Sequence, residues 1–185
     1  MMKAIPDIKL IETPRLILRE LSPRVYEHVF SGSESEIRDF FGHNSDEEYY
    51  EELRRFTGGM HTFNKSYFIF HMLQKETGNV IGSIGYHTWY TMHNRAELFY
   101  YIKEESNRRR GYASEAIVPT IAYGFGDMGL HRIEAMLSPD NTASVRLLQK
   151  SGFLKEGCLR AHYLVNGEYS DSDIYGLLRK EYTGH

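Results

Sequence analysis

The chain reads as an α+β protein built on a mostly antiparallel sheet. Three observations predict this. Between Ser66 and Lys103, three segments alternate their apolar positions and are separated by turn residues, as an antiparallel meander requires. From Ala113 onward the apolar period lengthens to that of a helix. The chain then closes on two further strand-like segments around Asn166-Gly167, a tight-turn pair.

In order, Ile11-Glu12-Thr13-Pro14 is a lead-in, and Arg15 to Leu21 alternates as the first strand, with Leu16 and Leu18 facing one way and Arg15, Ile17 and Arg19 the other. Ser22-Pro23 starts a helix, Ser22 as N-cap and Pro23 at the first helical position. Ser33 to Thr57 is helical and charged, broken at Gly42-His43-Asn44. Ser45 followed by Glu48 forms a capping box at its second start, and Gly58-Gly59 ends it. The meander follows. Ser66 to Lys75 sets Tyr67, Ile69, His71 and Leu73 against Phe68, Phe70 and Met72; Val80 to Tyr90 and Arg95 to Lys103 are its other strands. Ala113, Ala116, Ile117, Ile121, Phe125 and Met128 share one helical face, which predicts a helix through Met128, bent at Pro119 and stopped by Gly129. His131 to Leu137 is a short strand. Asp140 or Asn141 caps a helix to Lys150 that turns Val145, Leu147 and Leu148 inward, and Leu154–Val165 and Tyr169–Leu178 are the closing strands. The order is β-α-α-β-β-β-α-β-α-β-β, with no repeat or linker, in a single domain over residues 1–185.

Composition narrows the function. With 185 residues, 41% hydrophobic and 25% charged, the chain is that of an ordinary globular protein. One cysteine, Cys158, excludes an intrachain disulfide; it is expected to be a buried small apolar residue in a reducing, cytoplasmic setting. No apolar run nears the ~20 residues that span a bilayer, and the first ten residues lack a signal-peptide core. A net charge of −3 argues against a nucleic-acid surface. His71, His87 and His162 read as packing or surface residues, no pair has the HExxH spacing, and no metal is expected.

The chemistry concentrates at Arg108-Arg109-Arg110-Gly111-Tyr112-Ala113, between a strand and a helix start. A glycine lets backbone approach a ligand, and the first helical turn offers unpaired N–H groups and the positive dipole end, so such a loop can cradle a pyrophosphate. No GxxxxGK[ST] and no GxGxxG after a strand is present, which excludes the other common phosphate loops.

This motif, Arg108-x-x-Gly111-x-Ala113, resembles the acyl-CoA pyrophosphate loop of the GNAT acetyltransferases. The likeness extends along the chain: Glu12 to Arg19 resembles the opening strand of the RimJ/RimL-like, ribosomal-protein-type branch, Asn141 to Phe153 its N-x-x-S-x-x-L-x-x-x-x-G-F helix, and Gly157 to Arg160 with Asn166 to Asp171 its closing hairpin. The resemblance implies the GNAT fold, with a central sheet of about seven strands and a V-shaped splay between the fourth and fifth, Glu97–Lys103 and His131–Leu137. It implies acetyl-CoA as cofactor and acetyl transfer to a primary amine, a protein N-terminus or a small cationic amine, by direct attack in a ternary complex. Cofactor contacts would come from Tyr100, Tyr101, Ile102, Arg108, Arg109, Arg110, Gly111, Tyr112, Ala113, Asn141 and Ser144. Dimers are common in the branch, which makes a homodimer one expected assembly; no nucleic acid or membrane partner is implied. Phe99 stands where the branch usually has glycine, which leaves the bulge geometry of that strand open.

The reaction sets further demands. The amine must lose a proton, and Glu97, flanked by Ala96 and Leu98 on the central strand, is the base candidate, with a raised pKa expected from partial burial. The leaving thiolate gains from a proton donor. Ser144 matches the serine of the branch helix, and Tyr163 and Tyr169 in the closing hairpin are rivals. Asp171 would orient the hairpin or meet a cationic substrate. Ser33 to Arg55 holds eight acids and three bases, a wall that would attract a cation. The alternative to the enzyme is a non-catalytic acyl-CoA sensor, which slow hydrolysis without an acceptor would favour.

Overall fold

The computed structural model describes residues 7–59 and 65–184. Its described strands form one sheet in the order β1-β2-β3-β4-β5-β6-β8-β7: β1 Leu10–Glu12, β2 Leu16–Leu21, β3 Ser66–Gln74, β4 Val80–Tyr90, β5 Arg95–Ile102, β6 Arg132–Leu137, β7 Leu154–Val165 and β8 Glu168–Leu178. All pairs are antiparallel except β5–β6. The helices are α1 Pro23–Phe30, α2 Glu34–Phe41, α3 Asp46–Gly58, α4 Tyr112–Phe125 and α5 Thr142–Lys150.

Alternation on the central strands feeds two cores. Leu16, Leu18, Phe70, Met72, Ile84 and Leu98 pack with Ile117 and Ile121 of α4 on one face. Tyr67 and Ile69 pack with Val25, Ile37 and Phe41 of α1 and α2 on the other. A sheet covered on both faces needs apolar residues in both registers, which is why β3 is buried over most of its length. Close packing also fixes Gly124, where a Cβ would overlap the Tyr86 hydroxyl that donates to the Thr120 carbonyl at 2.9 Å.

Five expectations need correction. The sheet has an eighth described strand, because Leu10–Glu12 of the lead-in pairs with Ile17–Arg19; the splay therefore lies between β5 and β6. Three helices, not two, separate β2 from β3, since Gly42 in the left-handed region (φ 66°) ends α2 before Ser45 starts α3. α4 ends at Phe125 with Gly126 as C-cap, short of Met128; Gly129 (φ 65°) only closes the turn that follows. The reciprocal capping box is at Ser33–Glu36, whereas the Glu48 carboxylate turns instead to the Asn44 N–H at 2.7 Å and to Lys103. Ser22 caps α1 by position alone, its hydroxyl donating to Glu20 at 2.6 Å.

Candidate active site

The site begins with a broken strand pair. β5 and β6 pair at Arg95–Arg132, Ala96–Ile133 and Glu97–Glu134, and beyond Glu97 they share no register. Leu98–Ile102 and Ala135–Leu137 therefore present facing edges that no strand pairs with on that side, although the Ile102 carbonyl accepts from Arg108 Nε at 3.4 Å. At the mouth, β5 ends at Ile102 and the chain loops into α4. Gly111 is the N-cap of α4 at φ 81°, a conformation glycine adopts without strain, and no side chain caps the first turn. A Cβ at Gly111 would meet only the Arg15 guanidinium at 3.5 Å, so the space above it is open. Arg15 braces this corner: its N–H and Nε bond Glu115 at 2.7 and 2.6 Å, and Nη1 donates to the Arg110 carbonyl at 2.9 Å. Arg108, Arg109 and Arg110 are exposed, and among the described residues none of them is in an ion pair.

Period-two alternation sends the β5 side chains to opposite faces. Glu97, Phe99 and Tyr101 point to the α1–α3 side, and Leu98, Tyr100 and Ile102 pack on the α4 side. Glu97 is 8% exposed. Burial, and then the charge of Glu134 beside it, push its pKa up to about 7, against the opposing pull of Arg95. Glu134 itself forms ion pairs with Arg95 and Arg132. The His87 Nε2 lies 3.6 Å from Glu97 Oε1, and burial lowers the His87 pKa, so the ring is a neutral neighbour. His87 reaches Glu97 because β4 carries an irregularity between Tyr86 and Thr88. The bulge left open by Phe99 is therefore on β4, and the Phe99 ring packs against His87 at 5.2 Å.

On the opposite face the Tyr100 hydroxyl is buried without a partner at full hydrogen-bonding geometry. Burial raises its pKa, and Ser144 lies close enough to oppose that shift. Ser144 sits in the first turn of α5, where its N–H donates to the Asn141 side chain at 3.2 Å. The structure thus brings together Glu97 and His87 on one side of the splay and Tyr100, Ser144 and Asn141 on the other.

Other candidates lie elsewhere. Tyr163 is 52% exposed on β7 and pairs with Ser170. Glu97 is level with Gly176, six residues from Ser170 along β8, or ~20 Å. Tyr169, at 73% exposure, is in the same hairpin end. The Tyr112 side chain is buried in the core, accepting from Gln74 at 2.8 Å, and leaves only its backbone at the loop. Asp171 accepts the Ala161 N–H at 2.8 Å, where the backbone is left-handed, so it orients the hairpin. Cys158 is exposed on β7 and not buried, because that edge strand is covered on neither face. Sequence reasoning missed the placing of His87 beside Glu97 and of Tyr100 beside Ser144; strand alternation puts each on its face, but only cross-strand register names the partner.

A cavity of about 480 Å³ opens beneath the α1–α3 side, between His87, Phe99 and Tyr101 of the sheet and Glu48, Glu51 and Glu52 of α3. The acidic wall is thus partly real: three of its eight acids reach this cavity. Among the described residues no His, Cys, Asp or Glu cluster could hold a metal, and no helix is long and apolar enough to cross a membrane.

A sheet that opens after three pairs, with an uncapped helix start at its mouth and a buried carboxylate at its apex, is the architecture of an N-acetyltransferase. The family model for the acetyltransferase (GNAT) domain matches residues 15–154, and the chain belongs to that family. It is 36% identical over 176 residues to the uncharacterised N-acetyltransferase YoaA of Bacillus subtilis (strain 168), covering 92% of this chain and 97% of that one. It is 29% identical over 104 residues to the spermidine N(1)-acetyltransferase of Vibrio cholerae serotype O1, covering 56% of this chain and 60% of that one. The crystal structure of a GNAT-family acetyltransferase from Bacillus anthracis matches with a TM-score of 0.65 and 25% identity, over 94% of this chain and 100% of that one. The protein is an acetyltransferase.

Proposed function

We propose that the protein moves an acetyl group from acetyl-CoA to a primary amine, a protein N-terminus or a small cationic amine, by direct attack in a ternary complex. The observation that carries this reading is the splay beyond Glu97, with opposed polar groups on its two faces. The fit to the cofactor rests on the open space at Gly111, the uncapped first turn of α4 and the unpaired β5 edge. Acetyl-CoA, when bound, supplies a thioester whose thiol is the leaving group.

The chain's residues then divide the work. Arg108, Arg109 and Arg110, with the N–H groups of Gly111, Tyr112 and Ala113, would hold the pyrophosphate, since a helix start and guanidinium donors both favour anions. The main chain at Tyr100, Tyr101 and Ile102 would bond the cofactor arm, with Asn141 and Ser144 opposite. Glu97 takes the proton of the incoming amine. An ordinary glutamate is a poor base for an ammonium of pKa near 8 to 10.4, and a carboxylate raised to about 7 is a better match. His87, neutral and 3.6 Å away, extends the site toward the cavity. Ser144, with the Tyr100 hydroxyl behind it, returns a proton to the thiolate. A reducing cytoplasm suits a chain with one exposed thiol.

Titration calorimetry with acetyl-CoA, followed by thiol release in the presence of peptide N-termini and small amines, tests this. Micromolar binding and amine-dependent release are the expected results; no binding at millimolar acetyl-CoA would remove the reading.

A further inference from the structure

The large cavity constrains the acceptor's body as well as its amine. It has the volume of a small-molecule pocket. It starts at His87, beside Glu97, and runs along β5 to Tyr101 and Lys103, four to six residues or ~13–20 Å from the base. Two of its three carboxylates are already paired. Glu48 is paired with Lys103 at 2.7 Å, and Lys103 also donates to the Gly42 carbonyl at 2.9 Å. Glu52 is paired with Arg55 at 3.0 Å and accepts from the Tyr26 hydroxyl. Of the three lining carboxylates, only exposed Glu51 is in no ion pair among the described residues.

The remaining lining is neutral. His71 is buried, its Nδ1 3.4 Å from the Arg19 guanidinium, and burial together with Arg19 drives its pKa to about 3. Burial lowers His43 and His87 as well. Around them stand Leu21, Phe41, Ile69, Phe99 and Tyr101. Glu51 is exposed to solvent, where an ion pair adds little, so a second or third ammonium group gains little there; elsewhere in the cavity it would have to displace Lys103 or Arg55 from its carboxylate, or sit unpaired against apolar walls, and either is costly.

We infer that the acceptor is a monoamine with an apolar body, aromatic or branched, seated between Phe99, Tyr101 and Phe41 with its single nitrogen at Glu97 and His87. This rests on the acetyltransferase reading above and narrows it. A polyamine, which carries charge along its whole length, is the wrong shape of charge for this cavity.

The test compares phenethylamine with spermidine as acceptors for the whole protein, by thiol release at saturating acetyl-CoA. The expected result is a kcat/KM for phenethylamine at least roughly tenfold higher, the scale on which an apolar pocket discriminates. Phe99→Ala should narrow that gap through KM for phenethylamine while CoA affinity by calorimetry stays unchanged; Phe99→Leu, which keeps an apolar side chain but loses the ring, serves if Phe99→Ala does not fold. A preference for spermidine overturns this inference and leaves the acetyltransferase reading standing. Acetyl-CoA binding with release to neither amine, nor to peptide N-termini, overturns both.

Discussion

At the scale of single residues, Glu97 carries the most consequence. It could be picked out in the sequence because it lies on a central strand, between Ala96 and Leu98, at a position where the resembled branch often has glutamate. Its pKa near 7 has two effects of opposite value. As a base, it gains activity as pH rises through 7 and its proton leaves, so kcat/KM should climb over that range. Glu97→Gln should lower kcat by about 10²–10⁴ and erase that limb of the pH profile, with CoA affinity unchanged; a wild-type profile would remove Glu97 from the role. For stability the sign is reversed. A carboxyl whose folded pKa is raised from 4.5 holds its proton more tightly when folded, so its contribution is present at low pH and is lost as pH rises toward and past 7. Glu97→Gln should therefore match the wild type in Tm at pH 4 and exceed it at pH 8. His87 could not be picked out in the same way: a histidine on a strand reads as packing, and only the irregularity in β4 sets it against Glu97.

At the scale of elements, the start of α4 is where local sequence and distant contacts meet. The loop Arg108–Ala113 was legible because glycine at a helix start is a local requirement, and φ 81° at Gly111 bears out the conformation. Gly111→Arg should abolish acetyl-CoA binding, both by filling the open space and by forcing a side chain into a left-handed backbone at a cost of ~1–2 kcal/mol; unchanged affinity in calorimetry would refute the loop's role. The brace beneath it was not legible. Glu115 receives Thr13 Oγ1 at 2.6 Å, the Arg15 N–H at 2.7 Å and Arg15 Nε at 2.6 Å, joining residues about a hundred positions apart. Glu115→Ala should cost ~1–3 kcal/mol in urea unfolding, because it removes three hydrogen bonds to a charged, mostly buried carboxylate, and should weaken CoA binding by loosening the loop. Helix ends were the least legible part: α4 stops at Gly126 and not at Gly129, since either glycine can end a helix and packing selects between them.

At the scale of the whole molecule, one sheet divides two cores and one splay joins them. In the proposed reaction the α4 side would take the cofactor and the α1–α3 side the acceptor, so chemistry between them needs the sheet to open, and it opens where β5 and β6 part. Because Phe70 and Ile69 belong to different cores yet are neighbours on β3, the two halves should unfold together. The fluorescence of Trp89, the sole tryptophan, packed on the α4 side, should lose signal at the same urea concentration as far-UV circular dichroism. Two separated midpoints would mean that the α1–α3 layer melts alone.

The sequence by itself determined the strand and helix types, the turn at Asn166-Gly167, the glycine at the start of α4 and the place of Glu97 on a central strand. Each depends on periodicity or on the conformational freedom of one residue, and both are properties of neighbours along the chain. The tertiary structure alone decided the eighth strand, the pairing of His87 with Glu97 and of Tyr100 with Ser144, the distance of Tyr163 from both, and the neutralisation of Glu48 and Glu52 by Lys103 and Arg55. Those follow from register and from where helices land on the sheet. A one-residue slip in register would turn every side chain of a strand to the other face.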